Sequence, residues 1–190
     1  NTLCRNPKQP NEYKWNIEAK FIDEKVFENA IAIIHLAGAG VADKRWTDER
    51  KQEIIDSRVK STQLLFQYLA KGKHQIQSFI SASAVGFYGD RKNELLTETS
   101  SNGTGFLAEV CQLWENEVEK IASINIAVSK IRIGIVLSKD GGALPKLDFP
   151  IRFGIHLVLQ NDIYGARRFY VLSNDQQLES SNPLVNQNVR

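Results

Sequence analysis

Apolar residues recur with two different periods along the chain, and the alternation of these periods predicts the order of its elements. The continuous run at residues 31–37 is short, rich in β-branched side chains and stopped by Gly38, so it predicts a buried parallel strand. Small residues at 78–85 and apolar residues at 126–137 predict two more strands. Residues 2–5 predict the end of a shorter strand near the start of the sequence.

Between these strands, apolar residues recur at the spacing of helices. Residues 47–70 predict a long helix that ends near Gly72, a residue that suits the left-handed conformation found after helices. A turn at residues 102–105 precedes a second helix, for which Thr104 is the expected cap, and Asp23 is expected to cap a short helix of its own. The expected buried stripes are Ile55, Val59, Leu65 or Phe66, and Leu69 on the long helix, and Phe106, Val110, Leu113, Trp114 and Ile121 on the second.

Strands that alternate with helices predict an α/β protein with a Rossmann-like, doubly wound parallel sheet. We assign residues 1–154 to this nucleotide-binding domain. Residues 155–190 contain one expected strand at 168–172 and a polar tail, and they are left unassigned, as a candidate part of a smaller substrate-binding or C-terminal region. The chain contains no methionine and opens on a strand end, so we expect a first strand, its glycine-rich phosphate loop and a helix upstream.

Composition narrows the function classes. The 190 residues carry a net charge of +2, too little to indicate nucleic acid or an anionic membrane as a partner, and no apolar window is long enough to span a bilayer. Cys4 and Cys111 lack the spacing of a metal site or a disulfide framework, which suits a reducing, cytoplasmic location. The histidines are scattered, so no metal site is expected. The motifs of an α/β-hydrolase and of a P-loop nucleotide hydrolase do not occur.

The ends of the predicted strands carry the candidate binding residues, because ligands of doubly wound sheets bind beyond the carboxyl ends of the strands. Arg5 and Lys8 follow the first predicted strand, where a dinucleotide-binding fold recognises the adenosine ribose. A guanidinium there matches the 2′-phosphate of NADP, whereas an acidic residue usually holds the free hydroxyl of NAD. The alternative is that Arg5 is an ordinary solvated surface residue.

Two further strand ends are rich in small residues. Gly38 would let a ligand approach the backbone closely, although a glycine there also suits an ordinary turn. Ser81, Ala82 and Ser83 would suit a nicotinamide ring, or else close packing between a strand and a helix. Tyr88 is a candidate general acid, or alternatively a half-buried tyrosine in a turn.

Several longer segments, in this order and spacing, resemble the epimerase-like atypical short-chain dehydrogenase/reductase family. They are residues 35–39 (HLAGA), 42–47 (ADKRWT), 56–58 (DSR), 80–89 (ISASAVGFYG), 106–111 (FLAEVC) and 132–146 (RIGIVLSKDGGALPK). The resemblance covers about residues 1–154. It implies NADP(H) as the cofactor and a substrate that is a nucleotide sugar or another carbonyl compound.

The resemblance also implies roles for the strand-end residues. It implies that Arg5 and Lys8 hold the 2′-phosphate. The adenosine and pyrophosphate would be flanked by Leu36, Ala37 and Gly38. The nicotinamide would lie beside Ser81 and Ala82, with Ser83 or Tyr88 as the proton donor.

The usual catalytic set of this superfamily is altered in the sequence. Extended members use a serine or threonine with a Tyr-x-x-x-Lys pair, in which the tyrosine transfers the proton. By this resemblance the tyrosine position is Phe106, the lysine position is Val110 and the hydroxyl position is Ala84. Catalysis is therefore left open, and the alternative function is a catalytically silent NADP(H)-binding scaffold or redox-responsive interaction protein. Related folds often pair through long helices, so a homodimer is a further expectation.

Overall fold

The computed structural model describes residues 1–138, 141–142, 156–160 and 168–172, with side-chain surroundings for residues 1–136. The chain divides into two compact units, Asn1–Gly134 and Ile135–Arg190. All the predicted binding and catalytic residues belong to the first unit. The domain boundary predicted at residue 154 lies outside the described residues.

The first unit opens with short strands, β1 (Thr2–Cys4), β2 (Glu12–Asn16) and β3 (Phe21–Ile22). β1 pairs with β2 in parallel, and β2 pairs with β3 antiparallel. The strand predicted at residues 2–5 is confirmed, whereas β2 and β3 were not predicted, because Ile22 is their only β-branched residue. The short helix after Asp23 is a single 3-10 turn, Glu24–Phe27, and Asp23 caps it by accepting a hydrogen bond from the Lys25 N–H.

A parallel sheet forms the centre of the first unit. It contains β4 (Ala32–His35), β5 (Ser78–Ala84) and β6 (Ala127–Ile133), with β5 in the middle. Each connection carries a helix, α1 (Asp48–Leu69) between β4 and β5 and α2 (Phe106–Glu119) between β5 and β6. Parallel strands joined by crossover helices confirm the predicted α/β fold.

α1 begins and ends where the sequence predicts, but its buried face is displaced. The Thr47 hydroxyl accepts a hydrogen bond from the Arg50 N–H, and Gly72 has a positive φ of 70° beyond the last turn. Ile55 and Val59 are only half-buried, so this part of the stripe was wrong. The buried face also contains Ser61 and Thr62, whose hydroxyls donate to the Arg58 carbonyl and are therefore satisfied without solvent. Its apolar members are Ile54, Leu64, Leu65 and Leu69.

α2 differs from its prediction at two positions. Gly105, with φ 96°, occupies the capping position, so the prediction that Thr104 caps α2 was wrong. A positive φ there favours glycine. Leu113 is 37% exposed, whereas Val110 and Trp114 are buried as predicted. Leu113 lies outside the buried stripe because α2 contacts the sheet and α1 through the faces that carry Val110 and Trp114.

One face of the parallel sheet packs against both helices. Phe79 and Ser81 of β5 and His35 of β4 are buried on this side. Ile34 and Leu36 are each 67% exposed, so the prediction that the run 31–37 is buried throughout was wrong. The reason is that α1 and α2 lie on the same side of the sheet, and no described element covers the other side of β4.

The second unit contains short antiparallel pairs. β7 (Leu137–Ser138) pairs with β8 (Gly141–Gly142), and β9 (His156–Gln160) pairs with β10 (Arg168–Leu172). The strand predicted at 168–172 is confirmed. The single strand predicted over residues 126–137 is instead divided between β6 and β7, with Gly134 in the break.

Membrane-spanning helices and metal clusters are both absent from the described part of the chain. None of its helices combines the length and the apolar character needed to cross a bilayer. The same residues contain no group of three or more His, Cys, Asp or Glu side chains that could hold a metal ion.

Candidate nucleotide-binding site

The carboxyl ends of β4, β5 and β6 lie along one edge of the sheet, because the strands are parallel. In the register His35 is opposite Ser81, and Ser83 is opposite Arg132. Ligands of open α/β sheets bind outside this edge. The edge therefore brings together the predicted residues that follow β4 and those that end β5.

The backbone after β4 is held in place by side chains of α1. The Ala39 N–H donates to Ser57 Oγ at 2.9 Å, and Ala39 O accepts from Arg58 Nη1 at 3.1 Å. Gly40 O accepts from Arg50 Nη2 at 2.5 Å. The predicted residues Leu36 and Gly38 are exposed beside this loop and Ala37 is half-buried, so a ligand has access to a backbone that is already ordered.

His35 ends β4 in a closed environment beneath this loop. Its ring is 3% exposed and lies near the rings of Phe79 and Trp114, with Nε2 3.1 Å from Ser61 Oγ. Burial, with the nearby charge of Arg58, lowers the pKa of His35 to about 4. His35 is therefore neutral at physiological pH.

Ser81 and Ser83 of β5 point toward the helices. Ser81 is fully buried and its hydroxyl donates to the neighbouring Ala82 carbonyl. Ser83 is 4% exposed and donates to Glu115 Oε1 at 2.6 Å. Ala82 lies on the other side of the strand and is half-buried. Of these predicted residues, Ala82 therefore has the more open surroundings.

Ser83 and Tyr88, the predicted proton donors, are joined by a charged pair that the sequence analysis missed. Arg132 donates to Glu115 through Nε at 2.9 Å and Nη2 at 2.8 Å, and to Tyr88 Oη through Nη1 at 2.9 Å. The guanidinium also lies 3.5 Å from the ring centre of Phe87. We call Ser83, Tyr88, Glu115 and Arg132 the Arg132 cluster.

Two members of the Arg132 cluster, the Glu115 carboxylate and the Arg132 guanidinium, are charged at neutral pH. Burial raises the pKa of Glu115, but hydrogen bonds from Arg132 and Ser83 outweigh it, so the carboxyl pKa lies below its ordinary value. The same carboxylate raises the pKa of Arg132. A glutamate on the buried face of α2 and an arginine in an apolar strand were the available sequence signals, since charged residues at such positions require partners.

The turn after β1 presents Arg5 and Lys8 to solvent. One oxygen of Glu12 accepts the backbone N–H of Lys8 at 2.6 Å and that of Gln9 at 3.3 Å, so this acid holds the turn. Arg5 faces the start of α1: the pKa of Glu53 is lowered first by its hydrogen bond with Arg50, against the effect of burial, and further by the charges of Arg50, Lys44 and Arg5. Arg5, Lys44 and Arg50 thus act on the same carboxylate from separate parts of the chain.

Phe106 and Val110 lie at the start of α2. Val110 is 3% exposed in the core, whereas Phe106 borders an open groove of about 480 Å³. The Phe106 ring contacts the Trp46 ring at 5.1 Å, and the Lys51 ammonium lies 5.8 Å from its centre. Lys51 and Glu109 are the ionisable groups that line this groove.

The site and the fold agree with a known family. The sequence profile of the epimerases, described as the NAD dependent epimerase/dehydratase family, matches residues 5–108. The chain belongs to this family. Membership confirms the resemblance recognised in the sequence, and it accounts for a parallel sheet with its candidate residues at the carboxyl edge.

Related epimerase family proteins are longer than this chain. An epimerase family protein of Mycobacterium bovis is 35% identical over 143 residues, which are 75% of this chain and 47% of that protein. One of Staphylococcus saprophyticus is 38% identical over 149 residues, or 78% of this chain and 46% of that protein. The chain thus spans less than half the length of these relatives.

Solved structures of this family share the Rossmann-like fold. The nucleoside-diphosphate sugar epimerase of Corynebacterium glutamicum superimposes with a TM-score of 0.67 at 37% identity, covering 81% of this chain and 32% of that one. The human epimerase family protein SDR39U1, solved with NADPH, superimposes with a TM-score of 0.63 at 22% identity, covering 80% of this chain and 50% of that one. At that identity the human structure shows the fold alone.

Proposed function

We propose that this chain forms the nucleotide-binding part of an NADP(H)-dependent, epimerase-like short-chain dehydrogenase/reductase that acts on a nucleotide sugar or another carbonyl compound. The observation that carries the proposal is the position of Arg5, which is exposed in the turn after β1 and close enough to α1 for its charge to lower the pKa of Glu53. A planar guanidinium binds a phosphate through two parallel N–H groups, which suits the 2′-phosphate of NADP. Lys8, on the same turn, would add a second positive charge.

The rest of the cofactor would lie along the carboxyl edge of the sheet. Leu36, Ala37 and Gly38 would flank the adenosine and pyrophosphate, while Ser81 and Ala82 would lie below the nicotinamide. The ordered backbone at Ala39 and Gly40 supports this placement, because a binding surface that is already in place loses little entropy when the ligand binds. The human protein that shares this fold was solved with NADPH, which makes NADPH the cofactor to test first.

Tyr88 is the better candidate for the proton donor. The Ser83 proton is already committed to Glu115, and the serine is buried. The Tyr88 oxygen accepts from Arg132, which leaves its own O–H free to donate. If the phenol transfers its proton to a substrate oxygen, the adjacent guanidinium stabilises the resulting phenolate.

The test is a fluorescence titration of the full-length protein with NADPH and with NADH. Arg5→Ala should weaken NADPH binding roughly ten- to hundredfold, the effect of losing a hydrogen bond to a charged group, and leave NADH binding unchanged. Lys71→Ala is the control, because Lys71 pairs with Glu24 and lies between α1 and β5, at the opposite, amino edge of the sheet. Equal affinity for both cofactors in the wild type, or equal losses in both variants, would contradict the proposal.

A catalytically silent binding protein is the second candidate function, favoured by the apolar side chains at Phe106 and Val110. It predicts NADPH binding without substrate-dependent oxidation. A panel of sugar nucleotides and carbonyl compounds, followed by NADPH absorbance, separates the two functions. Turnover that is abolished in Tyr88→Phe excludes the silent protein, and binding without any turnover excludes the enzyme.

A further inference from the structure

Arg58 carries a positive charge that no carboxylate of the described chain neutralises. It lies half-buried on α1, with the centre of its guanidinium 5.2 Å from the Trp114 ring. Burial lowers the pKa of Arg58; the nearby Cys111 opposes this effect and the charge of Arg50 adds to it. The ion pairs among the described residues include Arg50 and Arg132 but not Arg58.

Among the described residues, the guanidinium of Arg58 makes hydrogen bonds through Nη1 alone. Nη1 donates to Ala39 O at 3.1 Å and to Ile54 O at 3.0 Å. Within the described residues Nε and Nη2 have no hydrogen-bond partner, and neither is among the fully enclosed nitrogens. The opposite edge of the group is therefore available to a ligand.

Gly38 leaves room beside this guanidinium. A Cβ at Gly38 would lie 3.1 Å from Nη2, 3.2 Å from Nε and 2.8 Å from the guanidinium carbon. The space that a side chain would fill thus lies over the flat face of the guanidinium, beside the two nitrogens that have no described partner. Gly38 is itself exposed at the carboxyl end of β4, where a ligand of this fold approaches.

We propose that Arg58 binds a phosphate group of a ligand through Nε and Nη2, its free edge beside Gly38 at the carboxyl end of β4. A guanidinium edge and a phosphate match in geometry as well as charge. A partly buried cation without a counter-charge costs stability, and the ligand supplies that counter-charge. The inference rests on the proposed function where the phosphate belongs to the dinucleotide; a phosphate of a second nucleotide has the same chemistry.

The test measures the binding of NADPH, UDP and inorganic pyrophosphate to the full-length protein by calorimetry. Arg58→Gln should weaken the binding of at least one of these probes roughly ten- to hundredfold, because a charge-assisted contact is lost. Arg58→Lys should recover part of that loss, since it keeps the charge without the planar edge. Gly38→Ala keeps Arg58 but places a Cβ 2.8 Å from its guanidinium carbon, so the group must shift and the same probe should bind more weakly. This variant carries the test if Arg58→Gln does not fold.

Controls separate a binding role from a structural one. Lys71→Gln, which removes a charge at the opposite, amino edge of the sheet, should leave all three affinities unchanged. Thermal unfolding of the ligand-free variants should show that Gly38→Ala and Arg58→Lys remain folded at the temperature of the binding measurement. A uniform loss of affinity that follows the loss of folded protein would overturn the inference.

The probes also distinguish this inference from the proposed function. Loss for NADPH alone assigns the phosphate to the dinucleotide, and loss for UDP or pyrophosphate alone assigns it to a second ligand. If NADPH binds and no affinity depends on Arg58, the inference fails while the proposed function stands. If NADPH does not bind but UDP or pyrophosphate binding depends on Arg58, the proposed function fails while the inference stands. Binding of none of the probes overturns both.

Discussion

Arg58 and Arg132 lie near the same edge of the parallel sheet, yet their charges are satisfied in different ways. Arg132 forms a two-point ion pair with Glu115 and also contacts Tyr88 and the Phe87 ring. Arg58 contacts carbonyl oxygens and the Trp114 ring, and no described carboxylate pairs with it.

The difference separates a structural charge from one that a ligand can use. An arginine whose carboxylate partner is fixed in the fold forms a unit that is nearly neutral, and its removal exposes the partner's unpaired charge. An arginine without such a partner produces a positive potential at its free edge. The comparison therefore predicts that changes at Arg132 alter stability most, while changes at Arg58 alter binding most.

The largest expected effect is on the Arg132 cluster. Arg132→Met leaves Glu115, which is 6% exposed, without its ion-pair partner, and should lower the free energy of unfolding by about 3–5 kcal/mol. Urea unfolding at neutral pH measures this, and adding Glu115→Gln should restore a large part of the loss. Arg91→Met, which breaks the exposed pair with Glu94, should cost far less. Similar losses in the two single variants would remove the distinction between a buried and an exposed pair.

A somewhat smaller effect is expected from His35, which is kept neutral by its burial and, to a lesser extent, by the nearby charge of Arg58. Its folded pKa of about 4 lies below the ordinary 6.5, so the unfolded chain binds the proton first as the pH falls. The stability that His35 contributes is complete above pH 6.5 and is lost toward pH 4, by about 3 kcal/mol. Urea unfolding at several pH values should show this slope in the wild type and a weaker slope in His35→Gln. An unchanged slope in the variant would argue against a buried neutral imidazole.

The smallest losses of stability are expected from changes at two glycines. Gly103 contacts Tyr88 of the Arg132 cluster, and Gly38 contacts Arg58. In Gly103→Ala the new Cβ would lie 2.0 Å from the Tyr88 carbonyl oxygen, so the backbone must move, at a cost of about 1–3 kcal/mol. In Gly38→Ala it meets the movable end of Arg58, so the loss should be below about 1 kcal/mol. Thermal unfolding of the two variants ranks them, and the reverse order would mean that the guanidinium of Arg58 is held more rigidly than the turn at Gly103.

Local patterns predicted the elements well where burial has a regular period. The main features of β4, β5, α1 and α2 followed from the spacing of apolar residues and from capping residues such as Thr47. The errors at Ile55, Val59, Leu113 and the outer side of β4 each depend on which neighbour an element packs against. The error at Thr104 concerns the local backbone, because Gly105 takes the capping position. Periodicity identifies an apolar face, but it does not show whether another element covers that face.

Local sequence patterns were enough to predict the family, the order of β4, α1, β5, α2 and β6, and the placement of Arg5, Gly38, Ser83 and Tyr88 at or just after strand ends. The packed structure was needed to show that Ser83 donates to Glu115 and that Arg132 contacts Tyr88. It also decided that Arg58 has one free edge, beside Gly38. The physical reason is that hydrogen bonds and ion pairs act over a few ångströms. Residues distant in the chain meet at that range only after the sheet and its helices have packed.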